Sequence, residues 1–152
     1  MCSQLINISR YIGSEKTIEY IIPELKELLD DEEGEVVTES IIQFHKITHK
    51  VVNKKYIRSD EAYQLFQKIC EMTADQESAT IDLALVLKKL GKLMLTFNYK
   101  DDINIVKRIY KIINNAKSAA FDEDIRAMLP LLFESLAVMY HENNMQILID
   151  IY

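Results

Sequence analysis

The feature that most constrains this chain is a recurrence. Helix starts marked by Thr17, Asp60 and Asp102 lie 43 and 42 residues apart, and the turn aspartates Asp31 and Asp75 lie 44 apart. A third turn, at 118–122, follows at a similar distance. A period of roughly 40–47 residues built from helix pairs confines a chain to stacked copies of one unit. No amphipathic pair can bury its own apolar stripe, so neighbours must share a core. The punctuation agrees, with three Gly and two Pro in 152 residues. Sheet proteins need turn residues about every ten positions, so this scarcity points to long helices joined by short loops.

The best-formed unit spans 13–52. After Gly13, a helix-stop residue, Ser14 and Glu15 suit a helix start. Ile18, Ile21, Ile22, Leu25, Leu28 and Leu29 then make one stripe of helical period. Pro23 lies inside it and is expected to bend the helix or to be absorbed in the first turn of a broken one. Asp30 to Gly34 supplies an acidic turn, and Val36, Val37, Ile41, Phe44, Ile47 and Val51 carry a second helix. Asn53 to Arg58 is a basic connector.

Two looser copies follow. In 59–97, Ser59-Asp60-Glu61 opens a helix with Ala62, Leu65, Phe66, Ile69 and Met72 on one face, and Asp75 to Ser78 turns. Residues 79–97 are apolar nearly all round, which predicts burial on every side in a central position. In 101–141, Asp101-Asp102 opens a helix with Ile105, Ile109, Ile112 and Ile113. A second helix carries Ile125, Met128, Leu129, Leu132, Leu136 and Met139 and contains Pro130. Short helical pieces at 3–12 and 145–152 have no mates, so the expectation is one repeat domain over 1–152. It is either a piece of a longer stack or one that covers its ends by self-association.

The net charge of −6 argues against nucleic acid or anionic lipid as the main partner. Cys2 and Cys70 form no spacing motif, which suggests a reduced, intracellular setting. The N-terminus lacks a basic region and an apolar core of a signal peptide. No apolar run approaches the roughly 18 residues of a membrane span. A cytoplasmic protein is expected.

Pro23, Asp31 and Val36, spaced eight and five residues apart, resemble the proline, turn aspartate and valine of HEAT repeats. The resemblance implies an all-α, right-handed α-solenoid of antiparallel helix pairs. HEAT units usually carry arginine after that valine, where this chain has Val37. The second unit keeps Asp75 with Thr80 and Ile81 following, and the third has Ile125-Arg126 without the aspartate. A pair between Asp75 and Arg126 of neighbouring units would complete the polar ladder. Within that family, Tyr11-Ile12-Gly13-Ser14-Glu15-Lys16-Thr17 followed by Ile21-Ile22-Pro23-Glu24-Leu25 is similar to regulatory and scaffold subunits of the protein phosphatase 2A and 4 group. That similarity covers residues 11–44. It implies a non-catalytic scaffold whose partner is a Ser/Thr phosphatase catalytic subunit, gripped by the turns within repeats, with second helices lining a concave face. The alternative is an adaptor for another protein, such as a transport cargo or the cytoskeleton.

Candidate chemistry is sparse. His45 and His49 share a helix face at a spacing that can hold zinc, but no third ligand joins them and His141 is remote. A solvated or partly packed pair is the plainer reading, and no metal or cofactor is expected. There is no phosphate loop, cysteine–histidine pair or nucleophile elbow. The partner-binding candidates are acids of the turns: Asp30, Asp31, Glu32, Glu33, Asp75, Glu77, Asp122 and Glu123. At helix starts such acids also serve as caps. Lys50, Lys54, Lys55 and Arg58 around Tyr56 form a local basic patch, read as a solvated loop.

Overall fold

A computed structural model describes residues 4–50, 59–75, 81–99 and 101–139. Every regular element among them is helical: α1 (Leu5–Lys16), a π-helical turn (Thr17–Ile21), α2 (Ile22–Leu28), α3 (Gly34–Lys50), α4 (Asp60–Asp75), α5 (Leu83–Met94), α6 (Ile103–Ser118) and α7 (Glu123–Met139). Cys2, Glu77, His141, the connector 53–58 and the stub 145–152 lie outside the described residues.

The helices alternate between two layers. α2, α4 and α6 pack successively on one another, α3, α5 and α7 do the same, and α1 lies against α3. Between the layers α2 meets α3, α4 meets α5 and α6 meets α7. The stripes read from the sequence supply the filling. Ile22, Leu25, Ile41, Phe44 and Ile47 from α2 and α3 are buried, as are Leu65, Phe66, Ile69, Ile105, Ile109 and Ile113 from α4 and α6. Each such side chain contributes roughly 1.5–3 kcal/mol on leaving water.

Local chemistry sets the breaks. Gly13 has φ 84° and ψ 175°, a conformation closed to residues with a Cβ, and it separates the first eight residues of α1 from the next helical run. The Thr17 hydroxyl donates to the Gly13 carbonyl at 2.6 Å, joining the Thr17 backbone N–H on the same oxygen. Pro23 is absorbed rather than kinking the helix. The preceding turn widens, so the Ile22 N–H reaches back five residues to the Thr17 carbonyl, and Pro23 falls in the first turn of α2, where its missing N–H costs little. Aspartates open the later helices. Asp82 accepts from the Leu85 N–H, Asp102 from those of Asn104 and Ile105, and Asp122 from those of Asp124 and Ile125.

Two expectations change. The helix expected to run to Phe97 ends at Met94, and it is not buried on every side, because Lys88 is exposed. Its position is central, in contact with α3, α4 and α7. Past its end the chain folds Phe97 between the layers, with its ring 4.8 Å from Phe66 and 5.9 Å from Phe44. The Asp75–Arg126 pair is replaced by other partners: Asp75 meets Lys111 at 3.0 Å, and Arg126 lies 3.7 Å from Glu123 in its own helix.

Candidate partner-binding surfaces

The surface of α2, α4 and α6 carries a groove of about 850 Å³, lined among others by Lys26, Gln64, Glu71 and Arg108. Its polar groups are largely spent on one another. Lys68 of α4 donates to Asp30 and to the Lys26 carbonyl at the end of α2. One step along the stack, Lys111 of α6 donates to Asp75 at the end of α4, and the Asn115 amide donates to the Ala74 carbonyl at 3.1 Å. Arg108 approaches Glu71 at 3.6 Å. Lysine and terminal acid thus recur as a rung between successive first helices.

Asp102 anchors the same surface. Besides capping α6, its Oδ2 accepts from the Tyr63 hydroxyl at 2.9 Å and from the Gln67 amide at 3.0 Å. Burial works against its charge, but the hydrogen bonds from Tyr63, the Ile105 backbone, Gln67 and the Asn104 backbone prevail and hold the carboxyl below its ordinary range. Burial and then the bond to Asp102 push the Tyr63 phenol up.

These contacts account for most of the acids singled out in the sequence. Asp30 and Asp75 bridge to lysines of the next unit, and Asp31 accepts from the Glu33 N–H at 2.8 Å and so closes its own turn. Asp122 caps α7 and Glu123 lies by Arg126. Glu32 and Glu33 are exposed in the turn before α3. Of these acids the structure brings Asp30, just past α2, and Asp75, at the end of α4, together on the lining of the groove, while Asp31, Glu32 and Glu33 stay in the turn before α3 and Asp122 with Glu123 lie at the start of α7.

The second layer differs. Lys46 and His49 lie on α3, and Lys88, Lys89 and Lys92 on α5, which packs against α3. Lys46, Lys89 and Lys92 are half-buried, and among the described residues no carboxylate pairs with any of these lysines. Burial, then Lys92, Lys88 and Lys46, lower the Lys89 pKa. His45 is 9% exposed, its Nδ1 and Nε2 have no hydrogen-bond partner among the described residues, and its ring lies 4.5 Å from that of His49. Burial and then the charges of His49, Lys89, Lys92 and Lys46 push it down to about 4. Burial, Lys92 and Lys89 lower His49 in the same direction.

The plainer sequence reading of the histidines, a partly packed pair, matches their placement. Among the described residues no cluster of three or more His, Cys, Asp or Glu is arranged to hold a metal ion. The convergence of α3 and α5 lysines was missed. Its signal was present in Lys88-Lys89-x-x-Lys92, three cations on the side of α5 opposite Leu87, Leu90 and Met94. Cys70 is fully buried in α4 and burial raises its thiol pKa, so it is inert packing. Among the described residues no helix is long and apolar enough to cross a membrane.

Compared with known proteins, the chain matches no family model, no curated protein and no solved structure.

Proposed function

We propose that the chain is a non-catalytic scaffold, a right-handed solenoid of antiparallel HEAT-like helix pairs that holds a protein partner in the cytoplasm. The observation that carries this reading is the repeated rung between first helices. Lys68 reaches the Lys26 carbonyl 42 residues back, and Asn115 reaches the Ala74 carbonyl 41 residues back. Lys68–Asp30 and Lys111–Asp75 accompany them. Contacts that recur at the period of the sequence favour a linear array, whose use is an extended surface for another protein. On this reading Asp30, Asp31, Asp75 and Asp122 have structural tasks within the array and need no catalytic role.

The resemblance of residues 11–44 to phosphatase scaffold and regulatory subunits nominates a Ser/Thr phosphatase catalytic subunit as the partner. Titration of the purified chain with catalytic subunits of the protein phosphatase 2A and 4 group, followed by calorimetry, tests it. Saturable one-to-one binding supports the nomination, and no heat at micromolar concentrations rejects it in favour of an adaptor for another partner.

A further inference from the structure

We propose that the basic surface made by Lys46 of α3 with Lys89 and Lys92 of α5 is a docking site for a short acidic segment of a partner protein. The assignment rests on reading the chain as a protein-binding scaffold and names the chemistry of one of its contacts.

Placement comes first. α3 turns Val37, Ile41, Phe44 and Ile47 inward, and α5 does so with Val86, Leu87, Leu90 and Leu93. The lysines emerge beside this shared seam, with Lys89 and Lys92 three residues apart on one face of α5. The three side chains are half-buried, and the charges of Lys92 and Lys46 both act against that of Lys89. In a chain of net charge −6, cations left together with no carboxylate paired to them among the described residues form a local field of opposite sign to the whole.

The ground beneath is also unusual. His45 is more than nine-tenths buried, and both ring nitrogens are unpartnered among the described residues. A buried polar group without a hydrogen bond costs stability, and an apolar residue would fit there more cheaply. Local rules are broken most often where a site has another task. Carboxylates arriving over the seam would relieve the crowding of the lysines and the adverse potential at both histidines.

The dimensions select the occupant. Packed helices lie about 8–10 Å apart, and three residues of α-helix rise about 4.5 Å. An extended peptide covers such a patch with roughly three to five residues at about 3.3 Å each. A nucleic acid would run past it, and its further phosphates would meet the repulsion of a chain whose net charge is −6. An anionic membrane meets the same difficulty over a wider area.

The test is a fluorescence-anisotropy titration of the whole chain with a labelled short oligoglutamate. The comparison probes are its glutamine analogue, a single-stranded oligonucleotide and vesicles containing anionic lipid. Oligoglutamate is expected to bind at least about tenfold more tightly than the glutamine analogue at low salt and to weaken as salt rises. Lys46→Glu/Lys89→Glu/Lys92→Glu should weaken it more than about tenfold, while the equal charge change at exposed Arg10, Lys16 and Lys107 should weaken it less than about threefold. The glutamine substitutions at the same three lysines, checked for a native melting curve, repeat the loss without reversed charge. Equal losses in the two charge-reversal variants, or tighter binding of the oligonucleotide or the vesicles, overturns the proposal. No phosphatase is present in this titration. Its failure therefore removes the patch assignment while a catalytic subunit can still be captured elsewhere, and the reverse outcome is equally visible.

Discussion

On the surface of α2, α4 and α6, Lys68 and Lys111 each meet an aspartate at the end of the preceding first helix. On α3 and α5, Lys46, Lys89 and Lys92 meet one another's fields and two histidines. The same residue type thus has two uses in one small protein. In the first layer charge is neutralised locally between neighbouring helices, which leaves little potential for a ligand. In the second layer charge is accumulated at some cost to stability, and the potential remains available. Asp30 and Asp75, singled out in the sequence as partner-binding candidates, are engaged by lysines of the neighbouring helix, whereas Lys46, Lys89 and Lys92, which the sequence reading did not single out, have no such partner among the described residues.

The largest effect should come from the anchored face. Asp102→Ala removes a helix cap and the acceptor for Tyr63 and Gln67 together, and should cost about 2–3 kcal/mol in urea unfolding. A loss below half of that would mean the first layer is less tightly tied than its contacts suggest.

His45 should behave in the opposite way. His45→Leu is expected to stabilise the protein by about 1 kcal/mol, since it replaces an unsatisfied buried ring with apolar volume. It should also change the pH profile. The folded-state value of about 4 lies below the ordinary 6.5, so the unfolded chain binds the proton more readily. Stability is then fully present above pH 6.5 and falls as pH drops toward 4. With allowance for screening at a partly solvated ring, this loss amounts to about 1–2 kcal/mol. In the leucine variant that limb should shrink to the smaller part that His49, lowered in the same direction, contributes when melting temperature is followed against pH.

Smaller still is the rung itself. A double-mutant cycle on Asp30→Ala and Lys68→Ala should return a coupling of about 0.2–1 kcal/mol, because Asp30 is 73% exposed. The smallest effect belongs to Lys89→Gln/Lys92→Gln. Relief of repulsion should add a few tenths of a kcal/mol, and the His45 titration, followed by NMR, should move up toward its ordinary value. A downward movement would show that the lysines do not act on that ring.

Much of the fold is legible in the residues. The stripe Ile18, Ile22, Leu25 and Leu29 falls at helical spacing and is buried, and Gly13 ends one helical run as its type suggests. What sequence could not supply is relative rotation between helices. Arg126 follows an isoleucine at the place where HEAT units put their ladder arginine, yet Asp75 is met by Lys111, since the rung joins first helices and Arg126 belongs to the other layer. The same gap hid the basic surface, because Lys46 and Lys89 are 43 residues apart and become neighbours only when α3 and α5 pack. The burial of His45 was equally invisible, as a polar ring one position past Phe44 reads as the edge of the stripe.

The widened turn at Thr17–Ile21 and Pro23 beside it form a compensated pair. A π turn is in effect one extra residue inserted into an α-helix, and it lets a proline enter a helical run without striking the carbonyl behind it. Deleting one residue from 17–21 would restore regular winding and drive the ring into that carbonyl. Replacing Pro23 alone would leave an extra residue with no purpose. Only the double change, deletion with Pro23→Ala, restores a continuous helix, and it does so by rotating everything before the deletion by about 100° against the core. Insertions and deletions should therefore be tolerated in the turn at 30–33 and excluded from 17–23, although both stretches interrupt regular winding.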